Sequence, residues 1–397
     1  MMRRLASLFK NIFVLSVTVL LTLGGLEGLF RLFRPNDALA LSMGRMDPHF
    51  HHSLKPGDTY RLLSPRPGEY NVRVRINRFG FRGPEIDFEK KPGQRRVMLV
   101  GDSFTFGVGA EEEETIPALL QRHWDPAGEK IQVVNAGVGA SSPVLYYLRL
   151  RDYLLEFRPD LVVLMLDFSD LREDWYYEKK IERDRDGRIL RINPYFEDGR
   201  FHVWNYLVAN SVFFKYLHNK CVRTFQKIQK LGLAGYLKTK WEGKKSKVVI
   251  AREKEDTIAF DGRIFLRGSE KADEIRRHFE RTGRYLLMCK SLLDERRIPL
   301  VLVLYPYGIH VGGNQWAIGR KSWGFEEGKL YEDDFSFKLV EAFAEKNGIP
   351  FINLLGALRL HNNEVLYFPA DGHFTPAANR VVAESLAAHP LIKDRLK

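Results

Sequence analysis

The chain has 397 residues, 45% of them hydrophobic and 28% charged, with a formal net charge of +12. That balance excludes a disordered chain and gives room for one large domain or two ordinary ones. A positive charge raises nucleic-acid binding, but no helix-turn-helix, zinc or RNA-binding motif accompanies it, so no nucleic-acid partner is expected. The charge is also local: twelve Lys or Arg against two acids, Glu242 and Glu253, fall between Lys215 and Lys254. Such a stretch reads as a solvated surface, or as a contact with anionic lipid or an acidic polysaccharide.

From the N-terminus, Ile12 to Leu26 are apolar or small, and Arg3, Arg4 and Lys10 precede them. Extended to Phe30 the run approaches the ~20 residues needed to cross a bilayer. Glu27 lies near its far end, where a carboxylate can reach the interface. The leading positive charges favour a cytoplasmic N-terminus, with the rest of the chain on the periplasmic or extracellular side. Residues 1–34 are therefore expected to be a cytoplasmic tail and a single-pass anchor. The rival reading is a signal peptide cut at Ala38-Leu39-Ala40, but Glu27, Arg31 and Arg34 separate that site from the apolar core. Cys221 and Cys289 are the two cysteines. They suit either one disulfide or two buried thiols. No metal-ligand spacing is present, so no metal and no cofactor are expected.

Residues 35–94 read as a juxtamembrane linker and extended lead-in, punctuated by Pro56-Gly57, Pro65 to Gly68, Gly83-Pro84 and Pro92-Gly93. His49, His51 and His52 fall in this linker without an acidic or cysteine partner nearby. Residues 70–77 alternate apolar and polar, as a half-buried strand does. Residues 95–397 then form the main domain. Apolar runs at 97–101, 131–136, 161–167, 299–306 and 349–354 suit strands covered on both faces. Helices are expected from Thr115 to about His123, over 143–157, 273–296 and 334–347, and from about Pro376. Alternating strands and helices imply an α/β fold, a parallel sheet with helices on both faces. The gap after the third strand is too long for one crossover, so an insertion is expected at about 171–272. Within it, 184–188 reads as a hairpin turn, 203–232 as helical and 238–256 as a mobile loop. The acidic run Glu111 to Glu114 stands ahead of a helix start, where it favours the macrodipole.

Gly101-Asp102-Ser103 directly follows the first apolar run. That places Ser103 at the carboxyl edge of the sheet, where open α/β proteins bind ligands. Serine becomes a nucleophile only when a base lies within hydrogen-bond reach. His373 supplies that base from Asp371-Gly372-His373, just before the last helix. Asp371 would orient the imidazole and stabilise its positive charge.

Gly101-Asp102-Ser103-Phe-Thr-Phe-Gly107 resembles the first sequence block of the SGNH (GDSL) hydrolase family, and Asp371-Gly-His373-Phe-Thr-Pro-Ala-Ala-Asn379 resembles its last. Asn77 to Pro84 is similar to the lead-in of membrane-anchored bacterial members. The likeness covers about 70–170 and 298–390. It implies a three-layer α/β/α flavodoxin-like fold, a serine nucleophile and an ester substrate. It also implies an oxyanion hole built from the backbone of Ser103 and of Gly139 or Ala140. A further donor normally comes from an asparagine, and Ser169 stands where that residue is expected. Asp167 and Asp170 read as capping or loop acids at a strand end. Tyr305 and Tyr307 follow the fourth strand and are candidates to line the pocket. Trp175-Tyr176-Tyr177, Trp204 and Tyr206 suit either sugar stacking or the core of the insertion.

The function these features imply is an envelope serine esterase acting on an acyl ester, with a cell-surface carbohydrate as the acyl bearer suggested by location. Two alternatives share the sequence: an O-acetyltransferase using the same site on an envelope polysaccharide, and a non-catalytic glycan-binding protein that retains the fold.

Overall fold

A computed structural model describes residues 2–33, 44–64, 66–197, 200–241 and 262–396. Ala38-Leu39-Ala40 and most of the lysine-rich 238–256 stretch lie outside the described residues. The chain divides into two compact units: Met1–His52 with Asn193–Ser246, and Ser53–Ile192 with Lys247–Lys397. The expected insertion is thereby shared, with 171–192 and 262–272 in the second unit and 193–241 in the first.

The second unit is built on five parallel strands: β1 (Arg95–Val100), β2 (Ile131–Asn135), β3 (Leu161–Leu166), β4 (Leu300–Leu304) and β5 (Phe351–Asn353). Their order is β5-β4-β3-β1-β2. All six residues of β3 and all five of β4 are buried, which explains their unbroken Val, Leu and Met runs. Helices Ile116–Trp124 and Pro376–Ala388 pack on each other as one layer. Helices Pro143–Asp152, Ser169–Glu178 and Phe335–Lys346 pack against Ala272–Asp294 as the other. The result is a three-layer α/β/α sandwich of flavodoxin-like strand order, as the sequence implies. Leu99 pairs with Asn135 and Val163, while Leu304 pairs with Leu166 and Asn353. That register aligns the carboxyl ends of the strands. Strand order reverses between β1 and β3, and ligands of such sheets bind in the crevice at that point.

The expected strand at 70–77 forms as Asn71–Arg75, antiparallel to Thr59–Leu63. Its buried residues Val72 and Val74 pack with Leu54, Ile76, Phe106 and Val138. The lead-in hairpin thus rests directly on the turn after β1 and the loop after β2. Behind it, the fully buried Arg82 donates to the carbonyls of Phe106 (3.0 Å), Gly107 (2.5 Å) and Ala110 (2.5 Å). The Asp184 turn closes the hairpin Ile181–Arg183 to Ile189–Ile192, with the Asp184 carboxylate accepting from the backbones of Asp186 and Arg188.

In the first unit, Met2–Phe33 is one helix. Its Phe9–Phe33 span has mean hydropathy 2.0 and no buried share, long and apolar enough to cross a membrane. Helix Val212–Trp241 packs against it and breaks at Gly232. Helix Val203–Asn210 precedes it, and the Trp204 indole donates to His218 Nδ1 at 3.1 Å.

The Arg82 clamp gives a stability test. Arg82→Met removes three bonds from buried carbonyls and is expected to cost about 3 kcal/mol in urea unfolding, the scale of a broken buried polar network. A loss below about 0.5 kcal/mol would mean that the carbonyls find other donors.

Candidate active site

Val100 ends β1, and Gly101 turns the chain into the short helix Ser103–Phe106. A side chain at Gly101 is sterically impossible, since its Cβ would lie 2.0 Å from Thr105 Oγ1. The Asp102 carboxylate caps the helix by accepting from the Phe104 N–H at 2.9 Å. Ser103 is left at the sheet edge with its Oγ 2.8 Å from His373 Nε2. His373 Nδ1 in turn bonds Asp371 Oδ1. The structure therefore brings together Ser103, His373 and Asp371, from segments 270 residues apart.

The His373 loop is held on several sides. Phe368 N–H donates to the His373 carbonyl (2.9 Å), and Gly372 N–H to that of Phe368 (3.0 Å). Gly372 has φ +90, and a Cβ there would strike the Trp316 indole at 2.6 Å. Glu69 accepts from the backbone N–H of Ala370 (2.6 Å) and of Asp371 (3.0 Å). The Tyr70 hydroxyl donates to Asp371 Oδ2 at 3.1 Å. The Phe104 ring lies against the imidazole, 4.9 Å between centroids.

These contacts set the charges. Burial opposes an ionised Asp371, but the bond and charge of His373 and the Tyr70 hydroxyl outweigh it, so its pKa falls below the usual carboxylate range. Burial likewise opposes a charged His373. The bond to Asp371 and the charges of Asp371, Asp102 and Asp167 outweigh it, and its pKa rises above that of free imidazole.

Beneath the serine lies a buried acid group. Among the described residues, Asp102, Asp167 and Asp170 are the one trio of potential ligand side chains with donor atoms within 4.8 Å of one another. His49, His51 and His52 form no such trio. Each of these three carboxyls accepts from a tyrosine: Tyr305 to Asp102 (2.6 Å), Tyr307 to Asp167 (3.2 Å) and Tyr146 to Asp170 (3.0 Å). Burial pushes the pKa of Asp102 up, only partly countered by Tyr305 and the Phe104 N–H. Burial and the nearby Asp102 push Asp167 up to about 7. Burial and Asp167 push Asp170 well above the usual range. Asp167 does cap a helix, accepting from the N–H of Ser169 (2.6 Å) and Asp170 (3.1 Å). Tyr305 and Tyr307 are buried under the site as donors to these acids.

The remaining site candidates all follow strand ends on the same edge. Gly139 faces the serine, since a Cβ there would stand 3.7 Å from Ser103 Cβ. Ala140 takes a left-handed φ of +56, and its carbonyl accepts from the buried Tyr177 hydroxyl. Ser169 opens its helix directly after β3 and is half-buried at this edge. Of the insertion aromatics, Tyr177 is thus a buried support of the 139–140 loop, while Tyr176, Trp204 and Tyr206 are exposed. Glu69 and Tyr70 were not among the sequence candidates. The sole local signal was their place at the start of the alternating strand. Cys221 is exposed and Cys289 buried, and both are free thiols.

No family model matches the sequence, and no curated protein matches it either. Solved structures similar to the chain include the acetyl xylan esterase AlAXEase (15% identity, 73% of this chain and 96% of that one, TM-score 0.34). They also include a lipase/acylhydrolase from Enterococcus faecalis (15%, 77% and 98%, 0.37). A catalytic mutant of an acetylxylan esterase from Geobacillus stearothermophilus is a third (12%, 77% and 95%, 0.34). Likeness at that level carries no argument about chemistry, and the fold stands on the strand order and register.

The buried acids make stability depend on pH. The native pKa of Asp167, pushed up to about 7, lies above the ~4 of an unfolded carboxyl, so it holds an extra proton from about pH 4 to about pH 7. Its contribution is complete below that window and is lost as pH rises through it. Asn at 167 keeps an acceptor for both helix N–H groups and no longer titrates. Thermal midpoints at pH 5 and pH 8 should therefore differ less in Asp167→Asn than in the parent. An unchanged difference would mean that Asp167 ionises normally.

Proposed function

We propose that the chain is a serine esterase of the SGNH (GDSL) type, anchored by Met2–Phe33 in a membrane with its main domain on the periplasmic or extracellular side. The observation that carries this reading is the Ser103–His373 contact of 2.8 Å, with Asp371 on the other imidazole nitrogen. A raised His373 pKa suits a residue that must accept a proton during acylation.

In this mechanism Ser103 Oγ attacks the acyl carbon and His373 Nε2 takes its proton. Asp371 holds the Nδ1–H and offsets the imidazolium charge. Backbone N–H groups of Ser103 and of Gly139 or Ala140, with the Ser169 hydroxyl, stabilise the oxyanion. His373 returns the proton to the leaving alcohol. Water, deprotonated by the same imidazole, then releases the acid from Ser103. The acyl ester of a cell-surface carbohydrate is the proposed substrate class, argued from the anchor alone.

Labelling with a fluorophosphonate probe and peptide mapping tests the site. Ser103 should carry the label, and the label should vanish in Ser103→Ala and His373→Ala. A folded parent that stays unlabelled refutes the enzyme reading.

The pH profile of ester hydrolysis tests the charges. Only neutral His373 is a base, so kcat/KM should climb with pH, with its midpoint above the ~6.5 of free imidazole. Asp371→Asn removes the largest opposition to burial. The midpoint should fall, and kcat should drop by about 10⁴, the scale seen when a triad aspartate is neutralised. Tyr70→Phe strips a donor from Asp371 and strengthens its pull on His373. The midpoint should move the other way, by less than about one unit. Shifts of the same sign in both variants would mean that Tyr70 does not act through Asp371.

A further inference from the structure

We propose that the basic helix Val212–Trp241 is a second membrane element, lying on the anionic headgroup surface beside the outer end of the anchor. The proposal rests on the reading of Met2–Phe33 as a membrane anchor.

Position is the first argument. Glu27, on the anchor, accepts from the Ser211 hydroxyl (2.6 Å) and from the backbone N–H of Val212 (3.1 Å) and Phe213 (3.0 Å). It therefore caps the basic helix where that helix begins. Phe30 packs on Phe213 and Tyr216, with ring centroids 5.3 and 5.0 Å apart. The apolar span Phe9–Phe33 covers 25 residues. At 1.5 Å each that is about 37 Å, longer than the ~30 Å hydrocarbon core. Glu27 and Phe30 lie about 27 and about 32 Å along the helix from Phe9, so both fall near the far edge of that core, and the basic helix starts there.

Chemistry is the second. From Val203 to Trp241 the sequence has seven Lys or Arg and no Asp or Glu. Phe225 on this helix and Leu233 just past its break at Gly232 are 61% and 59% exposed, and Trp204 and Tyr206 on the preceding helix are exposed too. Lysines seek phosphate, and exposed aromatic and apolar groups seek the acyl boundary just below it. A polyanionic glycan would satisfy the lysines and leave Phe225 and Leu233 in water. Charge and apolar exposure together fit an anionic lipid surface, where basic residues flanking an anchor bind.

The full-length protein is reconstituted into vesicles of phosphatidylcholine, alone or mixed with phosphatidylglycerol. Cys221 is exposed and Cys289 buried, so a nitroxide can be placed at Cys221, or at Phe225→Cys in a Cys221→Ser background. Power saturation then compares access of oxygen and of a water-soluble nickel chelate. The nitroxide at 225 should favour oxygen in phosphatidylglycerol vesicles. That preference should be lost in phosphatidylcholine, and lost again when Lys215, Lys220, Arg223 and Lys227 are changed to Gln. Nickel access at both positions in phosphatidylglycerol vesicles, with the protein still resisting an alkaline carbonate wash, overturns the interfacial helix and leaves the anchor standing. Release by carbonate overturns the anchor and this proposal with it. Immobilisation by soluble alginate, with no response to phosphatidylglycerol, assigns the helix to an acidic polysaccharide instead.

Discussion

One contact organises the second unit: Ser103 Oγ meets His373 Nε2 at 2.8 Å across 270 residues of chain. Sequence distance itself costs little, because loop-closure entropy grows only with the logarithm of length. Precision is the harder requirement, since a catalytic hydrogen bond tolerates errors of roughly 0.5 Å. Both ends are therefore overdetermined. The serine turn is fixed by the Asp102 cap, by Tyr305 beneath it and by the Arg82 clamp on its carbonyls. The histidine loop is fixed by its own Phe368 bonds, by Pro369, whose carbonyl accepts from Ile318 and Gly319, and by Glu69. The two ends also pack on each other, the Phe104 ring lying against His373 and Phe374, so the pair is held in register before any substrate arrives.

The scaffold under the serine is electrostatically expensive. Three carboxyls share one buried space, and hydrogen bonds from three tyrosines only partly offset the loss of water. The acids do something that apolar groups cannot. Asp102 and Asp167 both raise the proton affinity of His373, in addition to Asp371. Under the proposed mechanism they favour the imidazolium that forms as Ser103 attacks. The same field opposes a negative oxyanion close by, which places weight on the backbone donors after β1 and β2.

The sheet was legible in the sequence because its strands are buried on both faces and read as plain apolar runs. All five expected runs lie within two residues of the strand bounds, β5 starting at Phe351 after Pro350, whose carbonyl still accepts from Leu302 on β4. Ser103 and the Asp371–His373 pair were legible because each sits at a chain transition that marks itself by local residue types. The supports were not. Tyr70 and Glu69 lie in a lead-in whose alternation showed a strand and nothing of what its flanking loop touches. Tyr305 and Tyr307 were placed on the correct edge, but their rings turn inward, since a buried acid offers each hydroxyl an acceptor. Asp167 was read as a cap and is one. Its second role as a titrating neighbour needs Asp102, which lies 65 positions away and adjoins it only because β1 pairs with β3. Local pattern carries element type and punctuation, whereas these contacts exist only after the strands are ordered.

The first unit shows the same limit from the other direction. Glu27 stood out as a carboxylate at the end of an apolar helix, and the Lys215–Lys254 stretch as a local excess of charge. Read singly, each is an oddity that solvent can absorb. The structure joins them: the acid accepts three hydrogen bonds at the start of the basic helix, 184 to 186 residues later. A carboxylate so bonded no longer needs water, which removes the main objection to it near a bilayer. It also fixes the start of the basic helix to the apolar N-terminal helix. Under the proposed interfacial placement, Phe225, left exposed on that basic helix, faces the acyl boundary and not bulk water.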